Sequence, residues 1–308
     1  MNVVFMGSPE FAIAPLQALA RVAEVRVITR PEKPKGRGRK PMPTPVAEAA
    51  RELGLFVYTP ANRQELVQMV KQLAPELVVT AAYGVILPED VLRIPPLGCV
   101  NIHPSLLPEY RGPAPIHRAI MDGKEITGVT LYFMNECMDA GDIIARHEVP
   151  VGDRSRGELE AILSRAGASL LLANFDALCT GTAERIPQRD EEASYAAAIT
   201  PEEERIDWYR PAEFTARQIR ALDPTPGAYT LFSGRKLKLF GGRFITRSHD
   251  AEPGSIIRAD AKGGTLQIAG TGGIVSVDEV QPEGKRRMKV LEFLRGYRAR
   301  EGTVLGWE

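Results

Sequence analysis

Apolar residues in the N-terminal part of the chain fall alternately into short solid runs and into stretches with helical spacing. Asn2 to Gly7 has the pattern of a buried strand ending in a turn, and Pro9 to Ala20 continues as a helix with Phe11, Leu16 and Leu19 on its apolar face. Glu24 to Thr29 predicts a second strand, Val46 to Gly54 a helix, Phe56 to Tyr58 a short strand and Gln64 to Leu73 another helix. The apolar run L-V-V-T-A-A-Y then ends at Gly84. The alternation continues with a short buried strand from Cys99, a helix over Ala114 to Met121, and strands over Thr127 to Phe133 and Asp142 to Val149. A long amphipathic helix over Glu158 to Leu178, built on Leu159, Ile162, Leu163, Leu170 and Leu171, closes the series. Strand and helix taking turns in this way predict an α/β fold: a Rossmann-like, doubly wound, largely parallel sheet with helices on both faces.

The pattern fades between Thr182 and Glu204, where R-D-E-E-A-S-Y-A-A-A-I-T-P-E-E-E has neither helical nor strand period. We read 184–204 as a linker. Beyond it Phe214 to Leu222 predicts a helix. Short runs separated by Gly and Pro predict strands at Ala228 to Phe232, Lys236 to Phe240, Gly254 to Arg258, Thr265 to Ala269 and Ile274 to Val280. Such strands suggest a small OB-like β-barrel over 205–308, following a first domain over 1–183. A chain of 308 residues exceeds the usual size of a single core, which fits two domains.

Composition, at 44% hydrophobic and 25% charged, is that of an ordinary globular protein. The first strand begins at once, without a basic leader, and no apolar stretch is long enough to span a bilayer. The expectation is a cytoplasmic protein with no membrane partner. Cys99, Cys137 and Cys179 show no C-x-x-C spacing, and His117, His147 and His249 no metal-ligand spacing, so neither a disulfide framework nor a metal is expected. The turn after the first strand is G-S-P-E-F-A rather than G-x-G-x-x-G, which argues against a nicotinamide cofactor.

Formal net charge is zero, but residues 205–308 carry 18 Lys and Arg against 12 Asp and Glu, leaving the preceding part acidic. Two stretches concentrate the cations. Arg30, Lys33, Lys35, Arg37, Arg39 and Lys40 face only Glu32, in a segment too rich in Pro and Gly to form a helix or strand. Lys285 to Arg300 holds seven cations, Arg286 and Arg287 among them, against Glu292. A solvated loop and a barrel-packing helix with a basic outer face account for these. So does a polyanionic partner whose phosphates they would meet.

The stretch around which the chain is arranged is V-N-I-H-P-S-L-L-P-E-Y-R-G, Val100 to Gly112. Its start is apolar or β-branched, hence a strand, and Pro104 and Pro108 then force irregular structure. Asn101 and His103 therefore leave the carboxyl end of a strand on one face, where open α/β sheets bind ligands. Asn can donate to a carbonyl oxygen that gains charge, and His exchanges a proton near neutral pH, a pair suited to acyl transfer. Asp139, in M-D-A-G-D, is the best candidate for a carboxylate to orient or charge the imidazole. A bland reading also fits: Asn101 and His103 cap the Pro-rich turn, and Asp139 opens the turn at Gly141.

N-I-H-P-S-L-L-P-E-Y-R-G followed by M-D-A-G-D resembles the folate-dependent formyltransferases. R-I-D-W-Y resembles the start of the second domain in the member that acts on initiator tRNA. The resemblance implies transfer of the formyl group of 10-formyltetrahydrofolate to the α-amino group of methionyl initiator tRNA. It implies that Asn101 stabilises the oxyanion, that His103 assists that charge, and that Asp139 orients His103 and relays the amine's proton. Ser105, Leu106, Leu107 and Pro108 match the motif that contacts the folate. Y-G-V-I-L-P resembles the loop that receives the pterin ring through backbone groups, although Val85, Ile86 and Leu87 also suit a core. For the tRNA, the expected contacts are Arg37, Arg39 and Lys40 of the basic loop with Arg286 and Arg287 of the tail. Arg111 and Gly112, the basic loop and the second domain favour tRNA over a small ribonucleotide amine. Three rivals are a formyltransferase for an amino sugar nucleotide, a hydrolase passing the formyl group to water, and a non-catalytic RNA-binding protein. Intact Asn101, His103 and Asp139 argue against the last.

Overall fold

The computed structural model describes residues 1–35 and 40–306. The chain divides into two units. Met1–Pro115, Ile126–Pro150 and Glu160–Ala197 form the first; Ile116–Glu125, Val151–Leu159 and everything from Ala198 onward form the second.

The apolar runs of the first unit become strands β1 (Asn2–Gly7) and β2 (Glu24–Ile28), then a hairpin of β3 (Lys33–Lys35) and β4 (Lys40–Met42). They continue as β5 (Val57–Tyr58), β6 (Leu77–Ala81), β7 (Cys99–His103), β8 (Ile126–Phe133) and β9 (Ile143–Pro150). Seven of them build one sheet in the order β5-β2-β1-β6-β7-β8-β9. β5 to β7 in this order are parallel, and β8 and β9 add antiparallel to the edge. The chain moves outward from β1 in one direction and returns on its other side at β6. That reversal opens a crevice at the carboxyl ends of the strands.

The helices are α1 (Ile13–Leu19), α2 (Pro45–Glu52), α3 (Arg63–Leu73), α4 (Glu89–Leu92), α5 (Pro115–Met121), α6 (Arg156–Ala173) and α7 (Phe175–Thr180). α2 starts where Thr44 accepts from the amide of Ala47 with Pro45 in the first turn, and α3 where Asn62 accepts from that of Glu65. Side chains of α3 and α4, including Leu66, Val70 and Val91, pack with Met6, Val78 and Cys99 on one sheet face. α6 lies on the other, so close that a Cβ on Gly167 would sit 2.6 Å from Ile102. Asn101 and His103 share the face of Cys99, beyond the end of the apolar core.

Three expectations are corrected here. The basic segment carries a two-stranded hairpin, with Pro34 opposite Pro41. A pair with no further neighbours demands few ladder donors, so proline does not prevent it. The long helix expected over Glu158 to Leu178 breaks at Asn174, whose side chain turns back onto the Leu170 carbonyl at 2.8 Å. The segment read as a linker is bound to the first unit over much of its length: Ile186 pairs with Ile143, and Ser194 and Ala196 exchange backbone bonds with Pro108, Arg111 and Ala114.

In the second unit α8 (Ala212–Ala221) packs against short antiparallel strands. These are β10 (Tyr229–Phe232), β11 (Arg235–Phe240), β12 (Arg243–Ile245), β13 (Ile256–Asp260), β14 (Thr265–Gly270), β15 (Gly273–Val277), β16 (Glu279–Pro282) and β17 (Met288–Lys289). They form two four-stranded sheets, β10-β11-β16-β17 and β12-β15-β14-β13. The run read as one strand, Ile274 to Val280, divides at Asp278 between the two. α9 (Val290–Gly296) takes only the apolar middle of the basic tail, burying Val290, Phe293 and Leu294.

Candidate active site

Register places the candidate side chains. Thr80 on β6 lies opposite Asn101 on β7, and Asn101 opposite Tyr132 on β8, so the three side chains form a row across adjacent strands. The Asn101 Oδ1 accepts from the Thr80 hydroxyl at 2.6 Å, and its Nδ2 donates to the Tyr132 hydroxyl at 3.2 Å. The phenol donates in turn to Asp139 Oδ1 at 2.8 Å. Burial, and after it the neighbouring Asp139 charge, push the Tyr132 phenol well above its ordinary pKa, so it stays a donor to that carboxylate.

His103 is buried, and its Nε2 lies 2.9 Å from the Tyr110 carbonyl. A carbonyl only accepts, so Nε2 carries the proton and Nδ1 has the free lone pair. Nδ1 stands 3.7 Å from Asp139 Oδ2. That is too long for a hydrogen bond and close enough for charge to be felt. The expectation that Asp139 orients the ring is thus replaced: the Tyr110 carbonyl holds it.

Asp139 comes from the loop between β8 and β9, with a left-handed backbone (φ 51°). Its Oδ2 accepts from the Gly112 amide at 2.7 Å. A Cβ on Gly141, two residues on, would come 1.7 Å from the Phe133 carbonyl oxygen, so only glycine fits this turn. The Gln188 amide clamps the loop, donating to the carbonyls of Asp139 (2.9 Å) and Gly141 (2.8 Å). Gln188 Oε1 accepts from Nε and Nη2 of buried Arg111 (3.1 and 2.9 Å), and Arg111 also pairs with Asp190. The motif arginine is therefore part of the frame that carries Asp139.

Asn101, His103 and Asp139 meet at one cleft of about 470 Å³. Its wall includes Tyr83, Val85, Ile86 and Leu87 from the loop after β6, with Met138 opposite in sequence origin. Leu87 is core, whereas Val85 and Ile86 are exposed, 45% and 74%. Ser105 to Pro108 do not line this cleft. Ser105 and Leu107 are fully buried; the Ser105 hydroxyl donates to the Glu109 carbonyl, and Leu107 packs with Tyr132 and Ile143. These residues turn under β8 and support the site from behind.

Arg37 and Arg39 lie outside the described residues, as does the side chain of Lys40. Arg286 is exposed and paired with Glu292 at 2.6 Å. Arg287 is only 35% exposed, joined to Asp223 and Glu279 and stacked 4.0 Å over Phe240, so it is committed within the second unit. Cys99 is buried, which pushes its thiol up to about 12 and leaves it inert. Among the described residues no cluster of His, Cys, Asp or Glu could hold a metal, and no helix is long and apolar enough to cross a membrane.

A Rossmann-like sheet carries this Asn, His and Asp at its carboxyl edge, an arrangement suited to acyl transfer. The chain belongs to the formyl transferases: residues 1–174 match the model of that family, and residues 198–298 that of the formyl transferase C-terminal domain. It is 43% identical over 311 residues to the methionyl-tRNA formyltransferase of Moorella thermoacetica, covering 99% of each chain. To that of Symbiobacterium thermophilum it is 45% identical over 309 residues, covering 98% of this chain and 94% of the other. Among solved structures it resembles the N-formyltransferase of Helicobacter canadensis in complex with folinic acid and dTDP-3-aminofucose. That match has a TM-score of 0.68 at 17% identity and covers 92% of this chain and 99% of the other. It also resembles Aquifex aeolicus HypX in complex with tetrahydrofolic acid, with a TM-score of 0.67 at 19% identity, covering 95% and 46%. At these identities the likeness is one of fold.

Proposed function

We propose that the protein transfers the formyl group of 10-formyltetrahydrofolate to the α-amino group of methionyl initiator tRNA, in the cytoplasm. The observation that carries the choice of acceptor is similarity along the whole chain to methionyl-tRNA formyltransferases.

The cleft suits a folate. Beside its apolar wall, the backbone groups of Gly84, Val85 and Ile86 make no hydrogen bond to other described residues, leaving donors and acceptors for a flat heterocycle. When bound, the donor supplies an activated formyl carbon. Of the two Nδ2 hydrogens of Asn101, one is spent on Tyr132; the other is available to the formyl oxygen as it gains charge. As the amine attacks and the formyl C–N10 bond breaks, the Nδ1 lone pair of His103 takes the proton from the amine and returns it to N10 of the departing folate, while Asp139 beside it stabilises the imidazolium. This reading gives the chemistry to the N-terminal domain and the grip on tRNA to the basic loop and residues 205–308. Within that grip Arg286 offers an exposed charge, whereas Arg287 does not.

The test is to incubate the protein with 10-formyltetrahydrofolate and, separately, charged initiator tRNA, an amino sugar nucleotide, or water alone. Formyl-methionyl-tRNA should accumulate in the first arm while the other two stay at background. Turnover confined to the sugar or water arm would overturn the reading.

A further inference from the structure

We propose that Tyr132 is a positioning residue for formyl transfer, its phenol fixing which end of the Asn101 amide faces the cleft and holding Asp139 in step with it. The inference rests on the formyl-transfer reading above. An amide can sit either way round, and its two ends differ in chemistry: a nitrogen facing the formyl oxygen stabilises growing charge, and an oxygen there opposes it.

The Thr80 hydroxyl, 2.6 Å from Asn101, cannot make the choice, because a hydroxyl donates or accepts equally well. The phenol can. Its single proton goes to Asp139 Oδ1 at 2.8 Å, since a carboxylate only accepts. What it presents to Asn101 is therefore a lone pair, which accepts from Nδ2 at 3.2 Å and would repel Oδ1. Tyr132 is 2% exposed, so no bulk water stands ready to replace the missing partner. The same contact holds Oδ1 of Asp139 while the Gly112 amide holds Oδ2, which keeps the carboxylate beside His103 Nδ1. Directed bonds thus run from Thr80 through Asn101 and Tyr132 to Asp139. Phenylalanine would fill the same space and break them at the deciding member.

Tyr132→Phe should lower kcat about tenfold, the net worth of one buried hydrogen bond, with KM for donor and acceptor changed by less than about twofold. In an Asn101→Ala background the same substitution should cost clearly less than in the wild type, because one of the two groups it positions is gone. In unligated protein labelled with ¹⁵N-asparagine, the Asn101 side-chain amide protons should move towards free-amide positions when Tyr132 is replaced. Should the Phe variant fail to fold, Tyr132→Met, a flexible apolar filler, takes its place. Unchanged kcat and amide signals, or equal losses in both backgrounds, would overturn the proposal while the function stands. If the wild-type protein does not formylate methionyl-tRNA, the functional reading falls, and the amide signals alone decide whether Tyr132 positions Asn101.

Discussion

Asn101 and His103 belong to the same run of sequence as Ser105 to Pro108, yet the two groups of residues do opposite things. At the strand end, bonding is incomplete: among the described residues, one Asn101 amide hydrogen and the Nδ1 lone pair of His103 have no hydrogen-bond partner. Two residues later bonding is closed. The Thr130 hydroxyl donates to the Ser105 carbonyl at 2.7 Å and accepts from the Leu107 amide at 3.0 Å, and Ser105 spends its own hydroxyl on Glu109. On the proposed reading, the motif mixes groups that would meet the substrate with groups that keep them still. Open valence, rather than membership of the motif, separates the two.

Substitutions sharpen the contrast, taken here from the largest effect downward. Leu107→Ala should cost about 2–5 kcal/mol of stability, read from the denaturant midpoint, while the folded variant keeps its donor affinity. Lost affinity at unchanged stability would move Leu107 to the ligand surface. Asn101→Ala should do the reverse, lowering kcat about 10²–10³-fold with donor affinity and folding nearly intact; turnover close to wild type would remove it from the chemistry. In the second unit the same logic separates Arg287 from Arg286. Losing Arg287 leaves Asp223, whose side chain is 8% exposed, without its cation, and should cost about 1–3 kcal/mol in a thermal or denaturant melt. Arg286→Ala should leave stability alone and lower the salt slope of tRNA binding by about 0.7–0.9. Equal salt slopes for that variant and the wild type would show that Arg286 meets no phosphate.

Legibility followed the range over which each signal acts. Apolar runs such as Leu77–Ala81 are local, and the strands and helices of the parallel sheet were readable from them. Asn101, His103 and Asp139 could be singled out because their chemistry is written in their side chains. Tyr132 could not: it sits within a strand whose alternation explains it as core, and only the register against β7 shows that its hydroxyl meets Asn101. Gln188 was hidden for a similar reason. A segment without periodicity looks like a linker unless its partners, here Arg111 and the carbonyls beside Asp139, are known. The break at Asn174 was missed because apolar spacing carries on across it. The division of Ile274 to Val280 was missed because both sheets bury alternate residues of that run.

The Gln188 clamp also sets an order in time. The ribosome makes Asp139 49 residues before the amide that holds its loop, so a nascent chain can display Asn101, His103 and Asp139 while the backbone of that loop is still unclamped. Competence arrives late, with a stretch that contributes nothing to the chemistry itself. A cut or a change of length between Gly141 and Gln188 would act at the same point, disabling the site without altering any residue that touches the substrate.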